Sequence, residues 1–294
     1  MKKQTWIRGL YLIVVLAALY FLFDVYLENR SVIEEWSGPS LAWAWAAGLG
    51  IAHLGLLWLL AEAWRSLVAR TGEHCLPAQL LHASFLGAQV AKYLPGGVFH
   101  ILGRHTWLAG KGAQHKHLAK AAVLESASMV FVAGMLACVV GAVLAFLTDY
   151  QLVVPLIGTV PVWLFGGGTF LSALGLGIMP RMLGAFSTLF PTVLIALFFI
   201  GQSVLFIVCA SAVIQDASFQ IVPVFLFSWI LGFVVVGAPG GLGVREAALV
   251  VLSAGTIQPA EALLIGALFR IVTMIGEGLA YLAALVLVQG QADD

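Results

Sequence analysis

Apolar runs long enough to cross a bilayer recur along almost the whole chain, near residues 6–27, 41–63, 119–147, 151–178, 185–213 and 261–288. A helix rises about 1.5 Å per residue, so about 20 apolar residues span a hydrocarbon core about 30 Å thick. Six such runs predict an all-α polytopic membrane protein. Composition agrees, because 62% of the 294 residues are hydrophobic and only 10% are charged. A soluble domain carries about 25% charged residues to face water. The formal net charge of zero gives no support to nucleic-acid binding.

Two further apolar stretches, 79–103 and 221–254, are each cut by the same tripeptide, Pro95-Gly96-Gly97 and Pro239-Gly240-Gly241. Lysine and arginine in short loops mark the cytoplasmic side. Lys2, Lys3 and Arg8 place the N-terminus there, ahead of a first helix read as uncleaved. Arg30 is outnumbered by Glu28, Glu34 and Glu35, so that loop is expected outside. Arg65 and Arg70 mark the inside, and so do Arg104, Lys111, Lys116 and Lys120. The stretch 79–103 therefore has cytoplasmic loops at both ends. It is too short to cross twice, so it is expected to enter and return as a re-entrant helical hairpin. Its broken backbone must face protein or water, since lipid offers no hydrogen-bond partners.

The second half repeats this pattern upside down. Asp149 and Asp216 lie in loops without basic residues, expected outside, and Arg181 marks an inside loop. The stretch 221–254 should then dip in from the outside, and the last helix should return the C-terminus to the cytoplasm. Pro95 and Pro239 stand 144 positions apart, nearly half the chain. Glu125 lies 30 positions past the first proline and Arg270 lies 31 past the second. These matches predict one membrane domain built from two inverted repeats, 1–148 and 149–294. Broken hydrophobic segments at matching places in inverted halves point to a transporter binding site.

The second break reads Gly237-Ala238-Pro239-Gly240-Gly241-Leu242-Gly243-Val244-Arg245-Glu246. Glycine permits the bend, proline suits the first turn of the next helix, and the free N–H groups of that helix favour an anion. Arg245 adds a charge and a fork of donors, which suits a phosphate. Equally, Arg245 and Glu246 could pair with other buried charges and fix the hairpin. The first break places Lys92 and Arg104 on either side of its turn. Both are candidate ligand-binding residues with Arg245, Arg270, Gly96, Gly97, Gly240 and Gly241, or they snorkel to headgroups. Glu125, Arg270 and Glu277 lie inside spanning runs and must face the bundle interior. Glu125 is the expected partner of Arg270, and Glu125, Glu246 and Glu277 form a candidate charge or gating network.

Other features carry less. Gln114-His115-Lys116-His117 lacks nearby cysteine or carboxylate ligands, so no metal site is expected. His53 reads as a packed, hydrogen-bonded helix residue. Trp6, Trp36, Trp43 and Trp45 fall near span ends, as interfacial tryptophans do. Cys75, Cys138 and Cys209 are scattered and show no disulfide framework. Zinc-protease, nucleotide-binding and serine-hydrolase motifs are absent, so neither enzyme activity nor a cofactor is expected.

The run Lys92-Tyr93-Leu94-Pro95-Gly96, then Gly103-Arg104, Leu124-Glu125, Pro239 to Glu246, and Phe269-Arg270 resembles the transmembrane-region family of lysylphosphatidylglycerol synthases. That family includes the lipid-flipping half of bacterial multiple peptide resistance factors and stand-alone relatives. The resemblance covers roughly residues 5–290. The family often carries an arginine just after the glutamate of the third motif, where this chain has Ser126 and, nearby, Ser128. No synthase domain follows before Asp294, so lipid aminoacylation is not expected of this chain. The resemblance implies translocation of a lipid with a polar, phosphate-bearing head, either a phospholipid or a polyprenyl-phosphate-linked envelope precursor. It implies a bacterial inner membrane. A small-solute transporter and a non-transporting partner of an envelope-synthesis enzyme are the competing expectations. A homo-oligomer is compatible with all three.

Overall fold

The structure is a computed structural model that describes residues 20, 23–24, 26–28, 30–35, 42–73, 76–94, 98–148, 151–154, 158–183, 188–215, 217–235 and 238–289. Its helices in order are α1 (Arg30–Glu35), α2 (Ala42–Arg70), α3 (Ala78–Ala88), α4 (Phe99–Ala109), α5 (His115–Leu147), α6 (Val162–Met182), α7 (Leu189–Ser211), α8 (Ile221–Val234), α9 (Val244–Leu252) and α10 (Pro259–Gln289). Short 3₁₀ segments, Gln89–Tyr93 and Pro239–Gly241, lie between α3 and α4 and between α8 and α9. A small antiparallel ribbon of β1 (Val153–Val154) and β2 (Gly158–Thr159) pairs Val153 with Thr159.

Five helices, α2, α5, α6, α7 and α10, are long and apolar enough to cross a membrane. They coincide with five of the six expected runs. The sixth, near 6–27, falls largely outside the described residues, as do Lys2, Lys3, Arg8, Trp6, Trp36, Cys75, Asp149, Asp216 and the Pro95-Gly96-Gly97 tripeptide. The run expected from residue 151 begins as helix only at Val162, because the ribbon occupies its first residues. Pro155 and Pro161 punctuate that stretch, and Gly158 adopts φ +87°.

The surface is apolar where a soluble protein would be polar. Trp43, Phe146, Trp163, Phe170 and Val286 are largely exposed, whereas Arg104, Glu125 and Glu277 are buried. Exposed apolar side chains in this number are compatible with a hydrocarbon surrounding. Trp43 sits in the first turn of α2, the position expected of an interfacial tryptophan.

The two broken stretches fold as short helices that pack back on one another, α3 on α4 and α8 on α9. The longest of the four, α8, has 14 residues and reaches about 21 Å, short of a 30 Å core. Helix α3 packs on α10, and α8 packs on α5. The long helices α2 and α7 pack on each other, and α2 also packs on α10. The two 3₁₀ segments touch.

The ends of these hairpins can be placed. Thr71 Oγ1 donates to the His117 carbonyl at 3.1 Å, and the Gln114 N–H donates to Glu73 Oε2 at 2.8 Å. The chain after α2 therefore leaves and returns at the N-terminal end of α5. Helix α9, by contrast, touches β1, which follows the C-terminal end of α5. With 33 residues, α5 separates those ends by about 50 Å.

Glycine makes the second hairpin close. Gly241 has φ +72°, and an added Cβ would lie 2.9 Å from the Gly232 carbonyl oxygen. Gly255 also has positive φ, at +85°, but has open space beside it. Left-handed backbone costs a non-glycine residue about 1–2 kcal/mol. Gly255→Ala should lose about that much stability, and Gly241→Ala clearly more, in thermal unfolding of the purified protein in detergent. Equal losses would show that the α8–α9 contact tolerates a methyl group.

Candidate functional site

The breaks and the buried charges meet at one cavity of about 370 Å³. Lys92, Arg104, Arg245, Arg270, Gly240, Gly241, Glu125 and Glu277 all line it. Glu246 stands behind Arg270 in a smaller adjoining cavity. Gly96 and Gly97 lie outside the described residues. Thus candidate residues from both halves of the sequence line one space.

The first half supplies a closed ion pair. Arg104 Nη1 donates to Glu125 Oε1 at 3.1 Å, and Nη2 donates to Oε2. The guanidinium lies over the Trp64 ring, 3.9 Å from its centre, with Phe85 also near. Arg104 is only 4% exposed, so it does not snorkel to headgroups.

The second half supplies another. Arg270 Nη2 and Nε donate to Glu246 Oε1 at 2.6 and 3.1 Å, and Nη1 donates to the Gly240 carbonyl at 2.9 Å. Glu246 Oε2 meanwhile accepts the Gly243 N–H at 2.9 Å, so one carboxylate caps α9 and holds Arg270. Gly240 has φ +58°, and a Cβ there would press on the Tyr93 ring at 3.2 Å. The glycine brings the second break within reach of both Arg270 and the first break.

The expected Glu125–Arg270 pair does not form. Each residue pairs inside its own half, Glu125 with Arg104 and Arg270 with Glu246. The reason is local. Arg104 on α4 and Glu246 on α9 sit on the short helices that pack beside α5 and α10 respectively, nearer than the opposite long helix.

The halves are joined instead through Glu277. Lys92 Nζ and the Tyr93 hydroxyl donate to its two oxygens, the hydroxyl at 2.7 Å. His53 Nε2 lies 3.6 Å from the same carboxylate, and Gln202 Nε2 lies 2.6 Å from His53 Nδ1. His53 is thus a packed, hydrogen-bonded residue, as its sequence setting suggested, and it also lines the cavity. Tyr93 and Gln202 escaped the sequence reading. Gln202 did carry a signal, as a lone amide within an apolar spanning run.

Arg245 stands apart. It makes no hydrogen bond or ion pair among the described residues, and its buried Nη2 has no partner. Its guanidinium lies 5.3 Å from the Phe225 ring centre and 5.1 Å from that of Phe269. In the His115-Lys116-His117 run, His115 stacks on His105, and a carboxylate not expected there, Glu73, lies 3.8 Å from His117 Nδ1.

No protein-family model matches this chain, and neither curated proteins nor solved structures yield a significant match. The likeness to the lysylphosphatidylglycerol synthase transmembrane region therefore rests on the motifs alone.

Removing one partner of a buried ion pair strands the other charge at about 3–5 kcal/mol. Glu125→Gln should accordingly lower the unfolding temperature in detergent sharply. Adding Arg104→Gln to it should recover most of the loss, because no lone charge remains. A double variant less stable than Glu125→Gln would show that the Arg104 stack on Trp64 outweighs the pair.

Proposed function

We propose that this chain is a membrane translocase for a lipid with an anionic or phosphate-bearing head, and not an enzyme. The observation that carries the reading is the shared cavity, in which cations from both broken stretches surround a space at the contact of the two breaks. A charge at that depth is costly unless paired or serving a polar ligand. Several apolar residues complete the wall, among them Phe198, Phe233 and Val234. Val234 is itself more than half exposed, which suits acyl chains leaving the cavity sideways and favours lipid over a small solute.

An inverted-repeat arrangement would suit this mechanism. Helices α2, α3, α4 and α5 would correspond to α7, α8, α9 and α10. Contacts pair accordingly: α3 packs on α10 as α8 packs on α5, and α4 packs on α5 as α9 packs on α10. The first hairpin opens at one end of α5, and the second reaches the ribbon at the other. The stretches 79–103 and 221–254 then act as re-entrant hairpins from opposite faces of a bacterial plasma membrane, with both termini cytoplasmic. Alternating access would rock one repeat against the other about the cavity. Partners beyond the lipid, whether an envelope-synthesis enzyme or further copies of the chain, would bind outside this core.

Two experiments test this. Lys111→Cys and Thr256→Cys place thiols in exposed turns after the first and second hairpins. In a background lacking Cys75, Cys138 and Cys209, a membrane-impermeant maleimide should label them from opposite sides; labelling from one side would remove the inverted topology. In proteoliposomes, the protein should move fluorescent phosphatidylglycerol between leaflets faster than protein-free vesicles do. Rates equal to empty vesicles for phosphatidylglycerol and for a polyprenyl phosphate would overturn the translocase.

A further inference from the structure

The charges around the cavity do not cancel. Four cations line it, Lys92, Arg104, Arg245 and Arg270. Three carboxylates answer them: Glu277 takes Lys92, Glu125 takes Arg104, and Glu246 takes Arg270. Arg245 is left over, with a buried guanidinium nitrogen that has no acceptor. Among the lysine, arginine and glutamate side chains of the site, positive groups outnumber negative ones by one.

We propose that Arg245 is a specificity-determining residue that limits the cargo to one negative charge, carried as a phosphodiester. This inference rests on the lipid-translocase reading and narrows it. A phosphodiester bears one charge at neutral pH, whereas a phosphomonoester approaches two. A single charge neutralises Arg245 and leaves the three existing pairs intact. A second negative charge would find every other cation already held by a carboxylate, and accommodating it would mean breaking one of those pairs. A cationic substituent on the head would in turn find every carboxylate taken.

Position reinforces the charge count. Arg245 occupies the first turn of α9, where backbone N–H groups favour an anion. Glu246 takes the Gly243 N–H, and Arg245 adds a guanidinium donor to the same turn. Phe225 and Phe269 flank the guanidinium, restricting its freedom before a ligand arrives. Gly232 fixes the base of the side chain, because a Cβ at that glycine would sit 2.9 Å from the Arg245 Cβ.

The test is binding to the full chain in detergent at pH 8, read by calorimetry and by ligand-induced thermal stabilisation. The probes are dihexanoyl phosphatidylglycerol, dihexanoyl phosphatidic acid and dimethyl phosphate. The diester lipid should bind at least tenfold more tightly than the monoester lipid, and more tightly than chain-free dimethyl phosphate. Arg245→Gln should abolish the preference for the diester lipid over the monoester. Without ligand, Arg245→Gln should unfold at the same or a higher temperature than the wild type, because it removes a stranded charge. The monoester binding as tightly as the diester would overturn the charge limit, and so would an unchanged diester preference in Arg245→Gln. Dimethyl phosphate matching the lipid would overturn the lipid part. A diester that binds as expected but never crosses proteoliposomes would count against translocation alone, so the two proposals fail separately.

Discussion

Hydrocarbon offers no partner to a bare charge or an open carbonyl, and this solvent constraint orders the molecule from outside inward. Apolar side chains such as Phe146 and Trp163 face outward, and Arg104, Glu125 and Glu277 are buried. Broken backbone is tolerated only where other groups satisfy it. At the second break that satisfaction is specific: Arg270 takes the Gly240 carbonyl, and Glu246 takes the Gly243 N–H. The charged pair and the kink hold each other in place. Neither would survive alone in an apolar bundle.

The distribution of ion pairs separates what is rigid from what joins. Arg104–Glu125 belongs to the first half and Glu246–Arg270 to the second. Each pair thus lies within one half of the sequence. Lys92–Glu277 crosses between them, as does the contact of His53 with Gln202. Glu277 is therefore the ionic link between the halves, beside the packing of α2 on α7 and α10. That carboxylate has three neighbours able to donate, Lys92, Tyr93 and His53, so losing one donor leaves others in reach. A shared acceptor of this kind lets an interface shift without exposing a bare charge.

Much of this was legible in the sequence, and the limits have physical causes. Five spanning runs were visible because length and apolarity alone decide whether a helix can cross a bilayer. The convergence of Lys92, Arg104, Arg245 and Arg270 was legible because ionic residues in apolar runs must turn inward. Their pairing was not legible. Glu125 and Arg270 occupy matching places in the two halves, but symmetry says nothing about which neighbour lies nearer, and the short helices intervene. The ribbon at 153–159 was hidden in an apolar run because valine serves strand and span alike. Tyr93 was hidden because its role depends on the close approach of Gly240 from the other half.

The arrangement also bears on why the chain keeps charges at all. A bundle that only needed to be stable would do better with apolar side chains at these positions, since buried ion pairs rarely outperform well-packed hydrocarbon. Three pairs could be structural devices that set the register of the short helices. Arg245 forms no such pair; its guanidinium lies instead over Phe225 and Phe269. If Arg245 binds an anion, as proposed, the cost of its unpaired nitrogen would be offset on binding. The stability lost at Arg245 without ligand and the affinity gained with it are two sides of one free-energy difference.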